Sequence, residues 1–274
     1  MTEDRLMNLK VLSLGAGVQS TALALMIEKG EMDKVDCAIF ADTKGEPKLV
    51  YEHLDWLETQ VSYPIYRTSW RDLKEDMLDA AVGKYKFMAI PLFTKNMETG
   101  KKGLLRRQCT FDYKIKPVQQ KVRQLLGYSK GQRVKKGTQV DMVMGISYDE
   151  LQRMKENALK YIENKYPLVD NKIRRSDCLE WMDKNNYPKP PRSACTFCPY
   201  HSNVEWREIK KNAEEWAEVI RIDEIIRHSS KKLNEFDEVF LHRSCVPIKD
   251  ADLSDGDSSK QLSLLDECDG MCGV

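Results

Sequence analysis

Three cysteines in two places are the first residues whose types could do chemistry. Cys109 stands in RQCTFDYKIKPV, residues 107–118, and Cys195 and Cys198 stand in ACTFCPYH, residues 194–201. A Cys-x-x-Cys puts two sulfurs on one turn, within chelating reach for tetrahedral iron or zinc. A second stretch lies near the amino terminus. VLSLGAGVQST, residues 11–21, reads as an apolar strand, a small-residue loop and a helix start. Gly15, Ala16 and Gly17 let backbone N–H groups approach an anion, and the helix start contributes its dipole. Ser20 and Thr21 add hydroxyl donors. The loop is neither G-x-G-x-x-G nor a Walker loop, which would need a lysine. An ordinary tight βα turn is the plain alternative. A phosphate loop combined with thiols points to nucleotide-dependent sulfur chemistry.

The elements that must position these residues follow from the apolar pattern. Leu9–Leu14 is a continuous apolar run of the kind buried on both faces of a sheet. A helix is predicted over Val18–Glu28 with Gly30 as its stop, a strand over Cys37–Ala41, and a helix after Pro47. A third strand falls near Pro64–Thr68, and a helix over Trp70–Ala81. Strand and helix in alternation argue for a parallel sheet. Phe87–Phe93 reads as an extended arm, Asp112–Leu126 as a helix, Met142–Gly145 as a buried strand and Asp149–Glu163 as a helix. After Pro167 the pattern is helical and loop-rich, with a short strand at Val239–Leu241. The expected division is an α/β nucleotide-binding domain over 1–155, a helical, cysteine-containing lobe over 156–262, and an acidic tail over 263–274.

With 274 residues, 41% hydrophobic and 32% charged, the chain reads as a globular protein. No apolar run approaches the ~20 residues of a membrane span, and the start has no secretory pattern. Cytoplasmic residence is the expectation; eight cysteines there suggest metal or catalytic use rather than disulfides. The net charge of +1 hides an asymmetry: residues 101–136 hold twelve Lys or Arg and one acid, Asp112. Such a segment is a candidate footprint for a polyanion, against the plainer reading of a solvated face.

Set beside known families, Gly15–Ser20 resembles the PP-loop, S-G-G-x-D-S, of the ATP pyrophosphatase and sulfonucleotide reductase superfamily. Gly15 replaces its first Ser, Ala16 its first Gly and Gln19 its Asp. FADTKGEP, at the end of the second strand, resembles the DTG-x-E segment of phosphoadenylyl-sulfate (PAPS) reductases. GISYDELQR, residues 145–153, is similar to their G-x-R-x-x-E/Q-S-x-x-R segment, with Glu150 and Arg153 matching and Ser147 in place of an Arg. The segment around Cys109 resembles the C-C-x-x-R-K-x-x-P-L of iron–sulfur members, with Thr110 where the second Cys would be. Cys195 and Cys198 match the second cluster pair.

The resemblance implies a parallel, twisted α/β sheet flanked by helices, like the adenine nucleotide alpha-hydrolases, with a mostly helical C-terminal lobe. It implies ATP and Mg held by Ser13, Gly15, Ala16, Gly17, Gln19, Ser20, Thr21, Asp42, Thr43, Gly145 and Arg153. It also implies a [4Fe-4S] cluster on Cys109, Cys195 and Cys198, either with one iron left open for hydrosulfide or substrate or with Cys178 or Cys245 completing the shell. Zinc on Cys178, Cys195, Cys198 and His201 is the competing metal reading, and unligated cysteines are a third. The tail DECDGMCGV echoes the E-C-G-x-H of cluster-free reductases, which makes Cys268 and Cys272 a candidate nucleophile and resolving pair. Asp42 and Glu150 complete the candidate catalytic set. His242 reads as a structural histidine.

The implied activity is adenylation of a nucleic acid, tRNA or DNA, held by the 101–136 segment, followed by sulfur transfer. A donor such as a cysteine desulfurase would supply the sulfur. A PAPS or APS reductase and a non-catalytic nucleotide or iron–sulfur module are the alternatives.

Overall fold

The computed structural model describes residues 8–84, 89–227 and 238–254. The candidate tail residues Cys268 and Cys272 lie outside them, as does the 263–274 segment.

The first strand, β1 (Asn8–Leu14), runs into the small-residue loop and then into α1 (Val18–Glu28). β2 (Cys37–Ala41), α2 (Lys48–Glu58), β3 (Ile65–Thr68) and α3 (Leu73–Ala81) follow in alternation. α3 begins later than the apolar pattern suggested because Asp72 caps it, accepting the N–H of Glu75 at 3.0 Å. β4 (Phe93–Lys95) and β5 (Lys102–Leu104) come next. The helix expected from Asp112 opens as a π-helical turn over Thr110–Ile115 and continues as α4 (Lys116–Leu125). β6 (Gln139–Met144) closes the first half.

The helix expected over Asp149–Glu163 does not form. Tyr148–Arg153 makes a 3-10 turn that is interrupted at Glu150 (φ −120°, ψ 27°), and β7 (Ile162–Lys165) replaces the rest. Ile162 pairs with Val140 and is buried against β6, so the ladder and its apolar side chain outweigh local helix propensity. Four helices follow: α5 (Pro167–Asp170), α6 (Arg175–Lys184), α7 (Asn203–Lys210) and α8 (Ala213–Arg227), then β8 (Glu238–Phe240).

The main sheet is five-stranded and wholly parallel, in the order β3-β2-β1-β6-β7. Alternate residues supply its two faces. Leu12, Leu14, Ala38 and Phe40 pack with α1, α2 and α6; Val11, Ile39, Met142 and Met144 pack with Val118 and Val122 of α4. α1 is buried all round from Val18 to Ile27 because α6 covers the side turned away from the sheet. β7 and α6, both beyond residue 155, therefore belong to the main sheet layer. A second sheet, antiparallel and in the order β5-β4-β8, joins α3 and α8 in a separate apolar cluster with Phe197 and Trp206. The sequence pattern had offered no second sheet.

This is the parallel α/β fold that the resemblance implied. Among the described residues no helix is long and apolar enough to cross a membrane. The chain order reverses between β1 and β6. In an open parallel sheet that is where the loops diverge and leave a crevice at the carboxyl ends of the strands. The loops after β1 and β6 begin at Gly15 and Gly145, both singled out by the sequence.

Candidate active site

The loop after β1 is built to present main-chain N–H groups. Ala16 takes a left-handed conformation (φ +58°), the geometry favoured by the glycine whose place it fills. Gly15 N–H donates to Ser20 Oγ at 3.2 Å, and the Ser20 hydroxyl donates back to Gly17 O at 3.3 Å. α1 starts at Gly17 with no side-chain cap and no acid in its first turn, so its positive end is not offset locally. Thr21 Oγ1 lies 3.1 Å from Nε2 of His53, whose pKa burial lowers to about 4. Ser13 is buried within β1 beside Met144.

The loop after β6 closes tightly on this one. A Cβ on Gly145 would lie 2.8 Å from Ser20 Cα and 2.9 Å from Ser20 N, so only glycine allows the approach. Ser147, where the resemblance expected an arginine, accepts a hydrogen bond from Gln19 Nε2 at 3.4 Å. Glu150 and Arg153, buried, pair with each other at 2.6 Å. Arg153 is thus engaged by a carboxylate.

The loop after β2 connects nucleotide and thiol chemistry. Asp42 is held by the Lys44 N–H (2.8 Å), the Tyr51 hydroxyl (2.9 Å) and the Lys44 ammonium (2.7 Å). Burial and Asp42 together raise the Tyr51 phenol. The fully buried Thr43 places its hydroxyl 3.2 Å from Cys195 Sγ and 3.3 Å from Glu46 Oε1. Two residues on, Gly45 O accepts the N–H of Thr196 at 2.8 Å. A Cβ on Gly45 would meet the Phe197 ring at 2.8 Å, so the DTKGE loop lies directly against the Cys-x-x-Cys turn.

Behind Thr43 sits a buried pair that the sequence reading missed. Lys114 Nζ lies 3.8 Å from Glu46 Oε1, and the Glu46 side chain is 0% exposed. Among the described residues its Oε2 has no hydrogen-bond partner. The Glu46 pKa is raised: burial outweighs the opposing pull of Lys114. Burial first, then Glu46, pushes the Cys195 thiol well above its usual range. A single lysine inside the apolar run Tyr113–Ile115 was the one sequence signal for this pair.

Cys198 N–H donates to Cys195 O at 2.9 Å, which forms the expected turn. Cys109 heads the π-helical turn, and it and Cys195 each pack against the second apolar cluster. Arg107 stacks over Tyr200 with 5.5 Å to the ring centroid, so the two cysteine segments face each other. Cys178 is elsewhere: it is fully buried on α6 against α1, in the first cluster, where it packs as a small apolar residue. Cys245 Sγ donates to Thr94 O at 3.7 Å beside the second sheet. His201 directs Nε2 at Cys195 O (2.9 Å), and burial lowers its pKa to about 3. His242 is held by Ser244 and Asn203. Among the described residues no three His, Cys, Asp or Glu side chains converge as a metal-holding group. Neither the fourth-ligand role for Cys178 nor the zinc set with His201 is assembled.

No family model matches the chain, and no curated protein does. Among the proteins of known structure that it resembles are two enzymes. One is phosphoadenylyl-sulfate (PAPS) reductase from Candida auris in its phosphate complex: 15% identity, 67% of this chain and 76% of that one, TM-score 0.41. The other is the U34-tRNA thiolase NcsA from Methanococcus maripaludis with its [4Fe-4S] cluster: 13% identity, 99% of this chain and 85% of that one, TM-score 0.38. Similarity at this level transfers no residue role to this chain.

Proposed function

We propose that the chain is a PP-loop enzyme that activates a nucleic acid with ATP and replaces the activated oxygen with sulfur. One observation carries this reading: the DTKGE loop touches the Cys-x-x-Cys turn through Thr43–Cys195 and Gly45–Thr196, so a thiol lies at the sheet edge that carries the phosphate loop. ATP would sit over Gly15–Ser20, with its phosphates on the start of α1 and its nucleoside toward Asp42 and Thr43.

The step has two halves. An oxygen of the nucleic acid attacks the α-phosphorus; the new P–O bond forms as the bond to pyrophosphate breaks. Sulfide, delivered by a sulfur-donor protein, then attacks the adenylated carbon; a C–S bond forms and the C–O bond breaks to release AMP. In both halves the protein positions groups and offsets charge. Cys109, Cys195 and Cys198 form the sulfur-handling side and are the residues an iron–sulfur cluster would use. They do not converge into a ligand set, and no step here runs through a metal.

The basic segment supplies a surface for the polyanion. Lys116 Nζ lies 4.0 Å from the Trp70 ring centroid and Lys121 Nζ 4.1 Å from that of Tyr66. Both cations therefore line the edge of β3 next to an aromatic face, the combination that grips phosphates and stacks bases. Replacing both lysines by alanine should lower nucleic-acid affinity and flatten its dependence on salt by roughly one to two units of slope. Binding measured across a salt series reads this; an unchanged slope would remove these lysines from the interface.

A sulfonucleotide reductase is the second reading. The Ser147 hydroxyl holding Gln19, where an arginine would grip phosphosulfate, counts against it. Mass spectrometry of nucleic acid digested after incubation with the enzyme, ATP and sulfide separates the two. An ATP-dependent oxygen-to-sulfur exchange is expected. Unmodified nucleic acid, with sulfite released from PAPS in a parallel incubation supplied with a dithiol reductant, would favour the reductase.

A further inference from the structure

The loop after β2 holds a lysine in a backbone conformation that suits glycine. Lys44 is left-handed (φ +64°), which side chains disfavour and glycine adopts freely. Outside glycine such a backbone persists only where its surroundings hold it, and it gathers at functional sites. Asp42 is what holds Lys44. The Lys44 N–H donates to Asp42 Oδ1 at 2.8 Å, and the Lys44 ammonium turns back to Asp42 Oδ2 at 2.7 Å. The Tyr51 hydroxyl, from α2, steadies the carboxylate by donating to Oδ1 at 2.9 Å. Both neighbours of Lys44 are pinned as well: Thr43 touches Cys195, and Gly45 lies against Phe197.

The pair has a base and an outer half. The Asp42 side chain is 7% exposed and the Lys44 side chain 51%. An ammonium has three N–H donors; among the described residues Asp42 takes one of them, and the rest stay available at the half-exposed end. A carboxylate has about four acceptor sites. The Lys44 N–H, the Tyr51 hydroxyl and the Lys44 ammonium occupy three, which leaves one on Oδ2. Donor and acceptor therefore stand side by side in a pair that is neutral overall. That suits an uncharged group that both donates and accepts, such as a hydroxyl, better than it suits a phosphate.

The sheet says which hydroxyl. β1 and β2 are hydrogen-bonded neighbours, about 4.8 Å apart as strands are. The phosphate loop follows β1, and Asp42 follows β2 directly. With the phosphates of a nucleotide over the end of β1, the next group along it, the ribose, falls over the end of β2.

We propose that the Asp42–Lys44 pair is a ribose clamp: the ammonium donates to a sugar hydroxyl oxygen, and the carboxylate accepts a sugar hydroxyl proton. The clamp rests on the ATP reading above and names the part of the nucleotide that these two residues hold. It also accounts for the backbone. Glycine at position 44 would relieve the left-handed conformation and would remove the donor.

The test is calorimetric titration of the full chain, with Mg²⁺ present, using ATP and 2′,3′-dideoxy-ATP as probes. Wild-type protein should bind ATP about 10- to 100-fold more tightly, the range for hydrogen bonds to charged groups. Lys44→Gly should stay folded, since glycine accepts this backbone, and should lose most of that preference. Lys44→Arg, which keeps a donor, should retain part of it. Lys44→Asn, also tolerated in a left-handed backbone, should narrow the preference and decides the matter if Lys44→Gly does not fold. Wild-type protein that binds both nucleotides equally overturns the clamp and leaves the ATP reading in place. A Lys44→Gly or Lys44→Asn variant that keeps the full preference, whatever its absolute affinity, also overturns the clamp. Wild-type protein that binds no ATP overturns the ATP reading and the clamp with it.

Discussion

Gly145→Ala should abolish ATP binding while leaving most of the sheet folded. The new methyl would lie within 3 Å of two main-chain atoms of Ser20, at the first turn of α1. Neither atom belongs to a side chain that could rotate away. The strain must be relieved by moving α1 or β6, and both are fixed: α1 is buried from Val18 to Ile27, and β6 pairs with β1 over six residues. Overpacking of this kind costs about 1–3 kcal/mol. The loop Gly15–Ser20, which the new methyl meets directly at Ser20, should absorb the shift. Loss of ATP binding in titration with a thermal midpoint lowered by only several degrees is the expected pair of results. Full ATP affinity would show that the loops after β1 and β6 do not form one site.

Lys114→Met should be the most destabilising single change in the thiol half of the site. It leaves Glu46 fully enclosed in the protein interior, where the Thr43 hydroxyl donates to its Oε1. Removing one member of a buried ion pair costs about 3–5 kcal/mol, more than the pair itself contributes. The effect carries a pH signature. Glu46 has a raised pKa in the folded protein, so its contribution to stability is full below its unfolded pKa and is lost as pH rises through the folded value. Without Lys114 that folded value rises further, and the loss becomes larger near neutrality. Denaturant unfolding at pH 5 and pH 8 should show a wider gap between variant and wild type at pH 8. Lys114→Met with Glu46→Gln should recover much of the stability. Equal destabilisation at both pH values would mean that Glu46 is not the group left uncompensated.

The sheet was legible because its strands are continuous apolar runs and its turns carry their own punctuation. β1, α1 and β2 fall where the pattern put them, since residues 11–14 and Cys37–Ala41 are buried on both faces and Gly30 ends the helix between them. β7 was hidden because Ile162 and its neighbours gain their stability from β6, not from local periodicity. The loop residues Gly15–Thr21, Asp42, Thr43 and Gly145 could be picked out one motif at a time. What joins them could not. Thr43 and Cys195 are 152 residues apart. Cys178 shows the same limit: counting cysteines offered it as a ligand, and its burial between α6 and α1 could not be read from that count.

The most direct measurement follows the fate of ATP labelled at its α-phosphate, incubated with the protein and nucleic acid in the presence of Mg²⁺ and sulfide. Labelled AMP with stoichiometric pyrophosphate, formed only when nucleic acid is present and lost in Gly145→Ala, is the expected result. Labelled ADP with orthophosphate, or ATP left intact while a parallel incubation with PAPS and a dithiol reductant yields sulfite, would contradict it.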